Sequence, residues 1–173
     1  MKLYQDEFES PVGTVYVVSD GAAVRAVDFG GYEGRMRQLL DRHSSRYTLQ
    51  AARDPGEFTS RLKAYFAGDL EAIASIPTAT NGTPFQRDVW AALRLIPVGT
   101  TCTYQQIAAR IGKPNACRAV GLANGANPVA IIVPCHRVIG SNARLTGYGG
   151  GLHRKQWLLA HEGLAEREPI GVL

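Results

Sequence analysis

The chain reads as an α+β protein: a small N-terminal antiparallel sheet carrying one or two helices, then a helical C-terminal part containing a helix-turn-helix. Three observations predict this. Short β-branched and aromatic runs alternate with Gly-, Pro- and Asp-containing turns before residue 30, apolar residues recur at helical spacing from Met36 onward, and two short helical patterns flank Gly112.

Ser10-Pro11-Val12-Gly13 is a turn between two extended runs, and Thr14-Val15-Tyr16-Val17-Val18 has the residue types of a strand. Ser19-Asp20-Gly21 turns the chain again, and Val24-Arg25-Ala26-Val27-Asp28-Phe29 alternates as a third strand would. Met36, Leu39 and Leu40 sit at helical spacing, and Phe58, Leu62, Tyr65 and Phe66 repeat at i, i+4, i+7 and i+8 up to Gly68. The turn-forming run Pro77-Thr78-Ala79-Thr80-Asn81-Gly82 marks a linker. It divides the chain into a scaffold domain at 1–77, a linker at 78–83 and a second domain at 84–173.

In Thr83-Pro84-Phe85-Gln86 an N-cap is followed by proline at the first helical position and a capping-box glutamine. Phe85, Val89, Leu93 and Ile96 then form one apolar stripe, which Pro97-Val98-Gly99 ends. Thr103-Tyr104-Gln105-Gln106 repeats the capping pattern, so a short helix is expected from Tyr104 to Ile111 with Gly112 as its left-handed cap. After Lys113-Pro114, Asn115 is the candidate N-cap of a second short helix carrying Ala116, Arg118, Ala119, Gly121, Ala123 and Gly125. Each glycine lowers intrinsic helix stability by about 1 kcal/mol, so the small residues serve close approach, either of a neighbouring helix or of DNA. Arg118 is placed to enter a groove or meet a phosphate. Asn127-Pro128 ends this helix, and Val129-Ala130-Ile131-Ile132-Val133 reads as a short buried strand.

Charge is distributed unevenly. The net charge is only +4, yet residues 1–80 hold nine basic and eleven acidic side chains against ten and four in 81–173. No acid occurs between Asp88 and Glu162, a stretch with eight basic residues: Arg94, Arg110, Lys113, Arg118, Arg137, Arg144, Arg154 and Lys155. This is either a solvated basic face or a polyanion site. No apolar run approaches the roughly 18 residues of a membrane span, and Met1 to Glu7 lacks the apolar core of a signal peptide. A cytoplasmic protein, not bound to a membrane, is expected. Cys102, Cys117 and Cys135 are odd in number and share no C-x-x-C spacing, which excludes a closed disulfide framework and a cysteine-rich metal site.

Pro134-Cys135-His136-Arg137 follows the apolar run directly. A thiol at the mouth of a buried strand beside His and Arg has surroundings that favour thiolate, whereas Cys102 and Cys117 lack such neighbours and read as inert. Adjacent strand residues point to opposite faces, so His136 is not expected to touch the sulfur of Cys135. A Cys-His pair also suits a cysteine hydrolase, in which water releases an acyl-enzyme.

Pro134-Cys135-His136-Arg137-Val138-Ile139 resembles the active-site motif of the O6-alkylguanine-DNA alkyltransferases, also called methylated-DNA-protein-cysteine methyltransferases. The resemblance runs from Thr83 to Gly163 through Tyr104-Gln105-Gln106, Arg118-Ala119-Val120-Gly121, Asn127-Pro128, Thr146-Gly147-Tyr148-Gly149-Gly150 and Trp157-Leu158-Leu159-Ala160-His161-Glu162-Gly163. Before residue 77 the similar pieces are Ser10-Pro11-Val12-Gly13 and Tyr65-Phe66-Ala67-Gly68.

The resemblance implies a ribonuclease-H-like first domain and DNA repair by direct reversal. An alkylated guanine is flipped out of duplex DNA, and its O6 alkyl group passes to Cys135, once per molecule and without a cofactor. A monomer is implied; the alkyl size range and activity on O4-methylthymine stay open. Non-catalytic alkylated-DNA sensors share the helix pair but lack the cysteine. By the same resemblance a water joins Cys135 to His136, Glu162 orients His136, Asn127 braces the turn after the reading helix, and Tyr104 lies near guanine N3 to protonate the leaving base. Arg118 fills the space of the flipped base, with Lys113, Ala119 and Gly121 also on the DNA side and Arg137 structural. The carbonyls of Cys135 and Val138 accept from the guanine amine, the Gly149 amide donates to O6, and Tyr148 walls the pocket. Some relatives hold zinc in the first domain, but residues 1–80 contain no Cys and only His43, so no metal is expected.

Overall fold

A computed structural model of the chain describes residues 1–141 and 147–164. They form two compact units, one of Met1–Thr83 with Pro128–Ile132, the other of Pro84–Asn127 with the chain from Val133 onward.

In the first unit, β1 (Lys2–Ser10), β2 (Gly13–Ser19) and β3 (Val24–Phe29) form an antiparallel meander. Its first turn is closed by Ser10, whose Oγ donates to Gly13 O at 2.7 Å and accepts from Val12 N at 3.1 Å. At the second turn Asp20 Oδ1 accepts from the amides of Ala22 and Ala23, and Gly21 takes the positive φ of 91° that the turn requires. Helix α1 (Glu33–His43) buries Met36, Leu39 and Leu40, and two of these join Leu3, Val18 and Ala26 in one core cluster. Phe8 differs from Leu3 by an odd number of residues and so faces the other side of the sheet. There it meets Phe66 of α2 (Phe58–Phe66) edge to face at 5.9 Å. Both faces are therefore covered, which explains why β3 is buried at five of six positions instead of alternating.

Two expectations for this unit change. The sheet is mixed rather than purely antiparallel, because β4 (Thr48–Ala51) pairs in parallel with β1, giving the order β3-β2-β1-β4. Four residues on an edge, mostly exposed, carry no hydrophobic period to read. Residues 129–133 are buried as expected but are not a strand. Val129 makes a single bridge to Val27, then Ile131 takes φ 71° while Ile132 N donates to Ala130 O at 2.8 Å, closing a three-residue turn. An apolar run reports burial, not conformation, and Pro128 and Pro134 at its edges have no N–H to donate to a ladder.

In the second unit α3 (Pro84–Arg94) buries Val89, Trp90, Ala92 and Leu93. Then come β5 (Cys102–Thr103), α4 (Tyr104–Arg110), α5 (Cys117–Gly125), β6 (Val138–Ile139) and α6 (Leu152–His161), with β5 and β6 paired in parallel. The capping box on α4 is complete: Thr103 Oγ1 accepts from Gln106 N, and Gln106 Oε1 accepts from Thr103 N. Gly112, φ 73°, ends the helix. Asn115 does not cap α5. Ala116 N donates to Lys113 O at 2.9 Å, so Pro114 and Asn115 are the central residues of a β-turn, and α5 starts after Ala116 with no side-chain cap. Trp90 Nε1 donates to Ala123 O at 2.9 Å and ties α3 to α5. Replacing Thr103 by Ala should lower the unfolding free energy by about 1 kcal/mol in a denaturant titration, because α4 loses the acceptor for an otherwise orphaned amide.

Candidate active site

The site residues lie in the second unit. Asn127, buried just after α5, donates from Nδ2 to Val133 O at 2.9 Å, the carbonyl that also accepts Cys135 N at 2.8 Å. Pro134, φ −81° and ψ 63°, is the centre of that second three-residue turn. One turn of 3₁₀-helix, Cys135–Arg137, follows, with Arg137 N donating to Pro134 O at 3.0 Å. The thiol therefore sits on a tight helical turn and not on a strand. The two-face alternation expected for Cys135 and His136 is replaced by the roughly 120° step of such a turn. Cys135 is buried.

His136 has no exposed surface. Its Nε2 lies 2.7 Å from Glu162 Oε1, while its Nδ1 is buried with no hydrogen-bond partner among the described residues. Glu162 closes α6 and is itself buried. Arg137 grips the same carboxylate from Nε to Oε2 at 2.8 Å and from Nη2 to Oε1 at 2.9 Å, and spends Nη1 on Ile96 O at 2.8 Å. Burial alone would raise the Glu162 carboxyl, but the donors of His136 and Arg137 outweigh it and hold it well below the usual carboxylate range. Burial pushes the His136 imidazole down; Glu162 opposes this, and the charges of Arg137 and Lys155 reinforce it. The ring is then neutral near pH 7. Facing a carboxylate, Nε2 carries the hydrogen, which leaves the lone pair on Nδ1.

Lys155 was counted with the basic face, yet it is fully buried. Its Nζ donates to Val138 O at 2.6 Å, and burial lowers its pKa to about 8, with the charge of Cys135 acting in the opposite direction. The sequence carried a signal for it: Lys155, Leu158, Leu159 and Glu162 recur at i, i+3, i+4 and i+7, which puts two ionisable residues in the apolar stripe of α6. Asn124 was also missed. It is buried on the inner side of α5 and donates from Nδ2 to Cys135 O at 3.3 Å.

On α5 the outward residues are Arg118, Ala119, Leu122 and Gly125. Leu122, 73% exposed, is the large apolar member of that stripe and was not singled out from the sequence. Gly121 is half-buried and turned inward, since a Cβ there would lie 3.9 Å from the ring of Tyr104, which is half-buried at the start of α4. Lys113 is exposed, with its ammonium 5.1 Å from the centre of the Phe85 ring. Val138 is buried, Tyr148 is half-buried and Gly149 is exposed. Thr146 and Arg144 lie outside the described residues. Cys102 is buried, and Cys117, half-buried, is the first residue of α5.

The low pKa of Lys155 sets a pH signature. Below about 8 both the folded and unfolded chains hold its proton; between there and the unfolded value near 10.4 the folded chain has shed a proton that the unfolded chain keeps. Stability relative to a Lys155→Met variant should therefore rise with pH across that window, by at most about 1.4 kcal/mol per unit. Paired denaturant titrations from pH 7 to 10 measure it, and parallel curves would contradict it.

Comparison with known proteins supplies the family. Residues 3–80 match the family described as "6-O-methylguanine DNA methyltransferase, ribonuclease-like domain", and residues 84–164 match its DNA binding domain. The chain is 51% identical over 166 residues to a methylated-DNA-protein-cysteine methyltransferase of Salmonella typhimurium, covering 94% of this chain and 97% of that protein. It is 44% identical to the protein of that name from Methanosarcina acetivorans, covering 93% and 99%. A crystal structure of Mycobacterium tuberculosis OGT in complex with DNA superposes with a TM-score of 0.77 at 39% identity, covering 96% and 97%. With both parts matched in order, the chain belongs to the 6-O-methylguanine DNA methyltransferase family.

Proposed function

We propose that Cys135 is the acceptor in the direct-reversal alkyl transfer of this family, acting as a monomer on duplex DNA that contains alkylated guanine. In this reading residues 84–173, apart from the 128–132 segment that clusters with the first unit, are the DNA-binding and transfer domain, with 78–83 the linker and 1–77 the scaffold. The observation that carries the reading is the buried His136-Glu162-Arg137 array beside Cys135, in which Nδ1 of His136, with no hydrogen-bond partner among the described residues, is a proton acceptor.

A water between that Nδ1 and the thiol takes the Cys135 proton towards His136, and the nearby Lys155 ammonium favours the resulting thiolate. The sulfur attacks the alkyl carbon on O6. The carbon-oxygen bond breaks, its electron pair stays on the guanine, and Tyr104 protonates N3 of the leaving base. The base is recognised by the carbonyls of Cys135 and Val138, the amide of Gly149 and the wall formed by Tyr148. Arg118 takes the place of the flipped base, and Ala119 and Lys113 meet the DNA with it. The scheme requires neither metal nor cofactor. The thioether has no hydrolytic exit, so each molecule acts once.

Two experiments test the reading. Mixed with excess duplex carrying O6-methylguanine, the protein should gain one methyl at Cys135, seen by intact mass and peptide mapping, and then stop. Sustained turnover would mean a hydrolase, and no mass gain a lesion sensor. Cys135→Ala should remove transfer while retaining DNA binding. Arg118→Ala should slow repair of duplex lesions by about tenfold or more, since unstacking costs a few kcal/mol, but leave transfer from free O6-methylguanine base nearly unchanged. Equal losses on both substrates would remove its role in flipping.

A further inference from the structure

Helix α5 has an outer face almost without polar groups. Its exposed residues are Arg118, Ala119, Leu122 and Gly125, so the face carries one charge and no other polar side chain. Leu122 is the largest apolar group on it and is 73% exposed. A surface leucine taken singly is ordinary. This one stands four residues after Arg118, about 6 Å further along the same side of the helix, and its neighbours Ala119 and Gly125 are short, so it rises above the face around it. The surroundings are cationic. Arg110 at the end of α4 and Lys113 in the turn before α5 are exposed, and no acid occurs between Asp88 and Glu162. That charge selects the partner. A second copy docked through a two-fold axis would set this cationic face against itself, whereas a nucleic-acid backbone brings the opposite charge.

We propose that Leu122 is a DNA-contact residue: it packs on the deoxyribose edge of the duplex beside the point entered by Arg118 and supplies a non-ionic, sequence-independent part of the affinity. The inference rests on the reading that this face of α5 meets DNA. Between the phosphates of a strand the apolar surface is the C–H face of the sugar, which is the same for every nucleotide. The thymine methyl is the other apolar group within reach of a helix, but it marks one base and lies in the major groove. With no side-chain donor or acceptor besides Arg118, the exposed face has nothing else with which to read base edges, and this favours the sugar. The two kinds of contact differ in their response to salt. Lysine and arginine on phosphate release counterions, so their share falls as salt rises, whereas burying leucine displaces water and no ion.

The test measures binding of the parent protein, Leu122→Ala, Leu122→Met, Lys113→Ala and Arg118→Ala to unmodified duplexes by fluorescence anisotropy, from about 50 to about 200 mM salt. One duplex is rich in A·T pairs and the other in G·C pairs. Leu122→Ala should weaken binding about fivefold at every salt concentration and equally on both duplexes, with the slope of log K against log salt unchanged. Leu122→Met keeps an apolar side chain of similar size and should bind as the parent does. Lys113→Ala should make the slope shallower by about one. Because Leu122 is so exposed and alanine is a strong helix former, its truncation should leave the denaturant midpoint where it was, which separates contact from folding. A loss confined to the A·T-rich duplex places the side chain on the thymine methyl and overturns the sugar assignment. Unchanged affinity in Leu122→Ala overturns the contact, and a dimer of the parent that this variant dissociates in sedimentation would make a second copy the occupant instead. If neither Arg118→Ala nor Lys113→Ala weakens binding, the reading of α5 as the DNA-facing helix is what fails.

Discussion

The second unit depends on one buried carboxylate. Glu162 ends α6, where the helix dipole disfavours a negative charge, and it is removed from water. It is stable there only because Arg137 supplies a two-pronged charged donor and His136 a third hydrogen bond. The arrangement links three separate stretches of chain: the end of α6, the turn after Pro134, and the segment just after α3 through the Arg137 bond to Ile96 O. Removing either ion would leave the other buried without its partner, so the histidine orientation and the fold of this unit stand or fall together.

Helix α5 follows a different constraint. Its outward residues are small apart from Arg118 and Leu122, and its inward residues are either apolar or amides. Glycine and alanine cost helix stability or contribute little packing, so isolated stability is not what the segment is built for. It is held instead from outside itself, by the Trp90 indole on Ala123 O and by the packing of α3 and α4. A helix stabilised by its neighbours can keep a bare outer face.

Much of this was legible in the sequence, for definable reasons. The meander, the helices and the α4 capping box follow from periodicity and from turn chemistry, which are local. The pairing of Glu162 with His136 follows from the resemblance. What failed was also specific. Val129–Val133 was read as a strand because apolarity reports burial alone, while its path is set by two flanking prolines and the positive φ of Ile131. Asn115 lost its capping role to a β-turn that uses the same residue. Lys155 reads as a surface charge in a sum of basic residues and as a buried one only against the period of its own helix, and Asn124 lies among the small residues of α5, which carry no periodic signal.

Polar side chains also hold the short turn that carries Cys135. Around Cys135 the backbone is bound at successive points: Val133 O by Asn127, Cys135 N by Val133 O, Cys135 O by Asn124, Arg137 N by Pro134 O and Val138 O by Lys155. Each is a bond that a longer strand or helix would have supplied through its own ladder. Lacking both, the segment draws donors from α5, from Asn127 just after it and from α6, so the fold itself holds its carbonyls. Preorganised dipoles cost nothing at the moment of reaction.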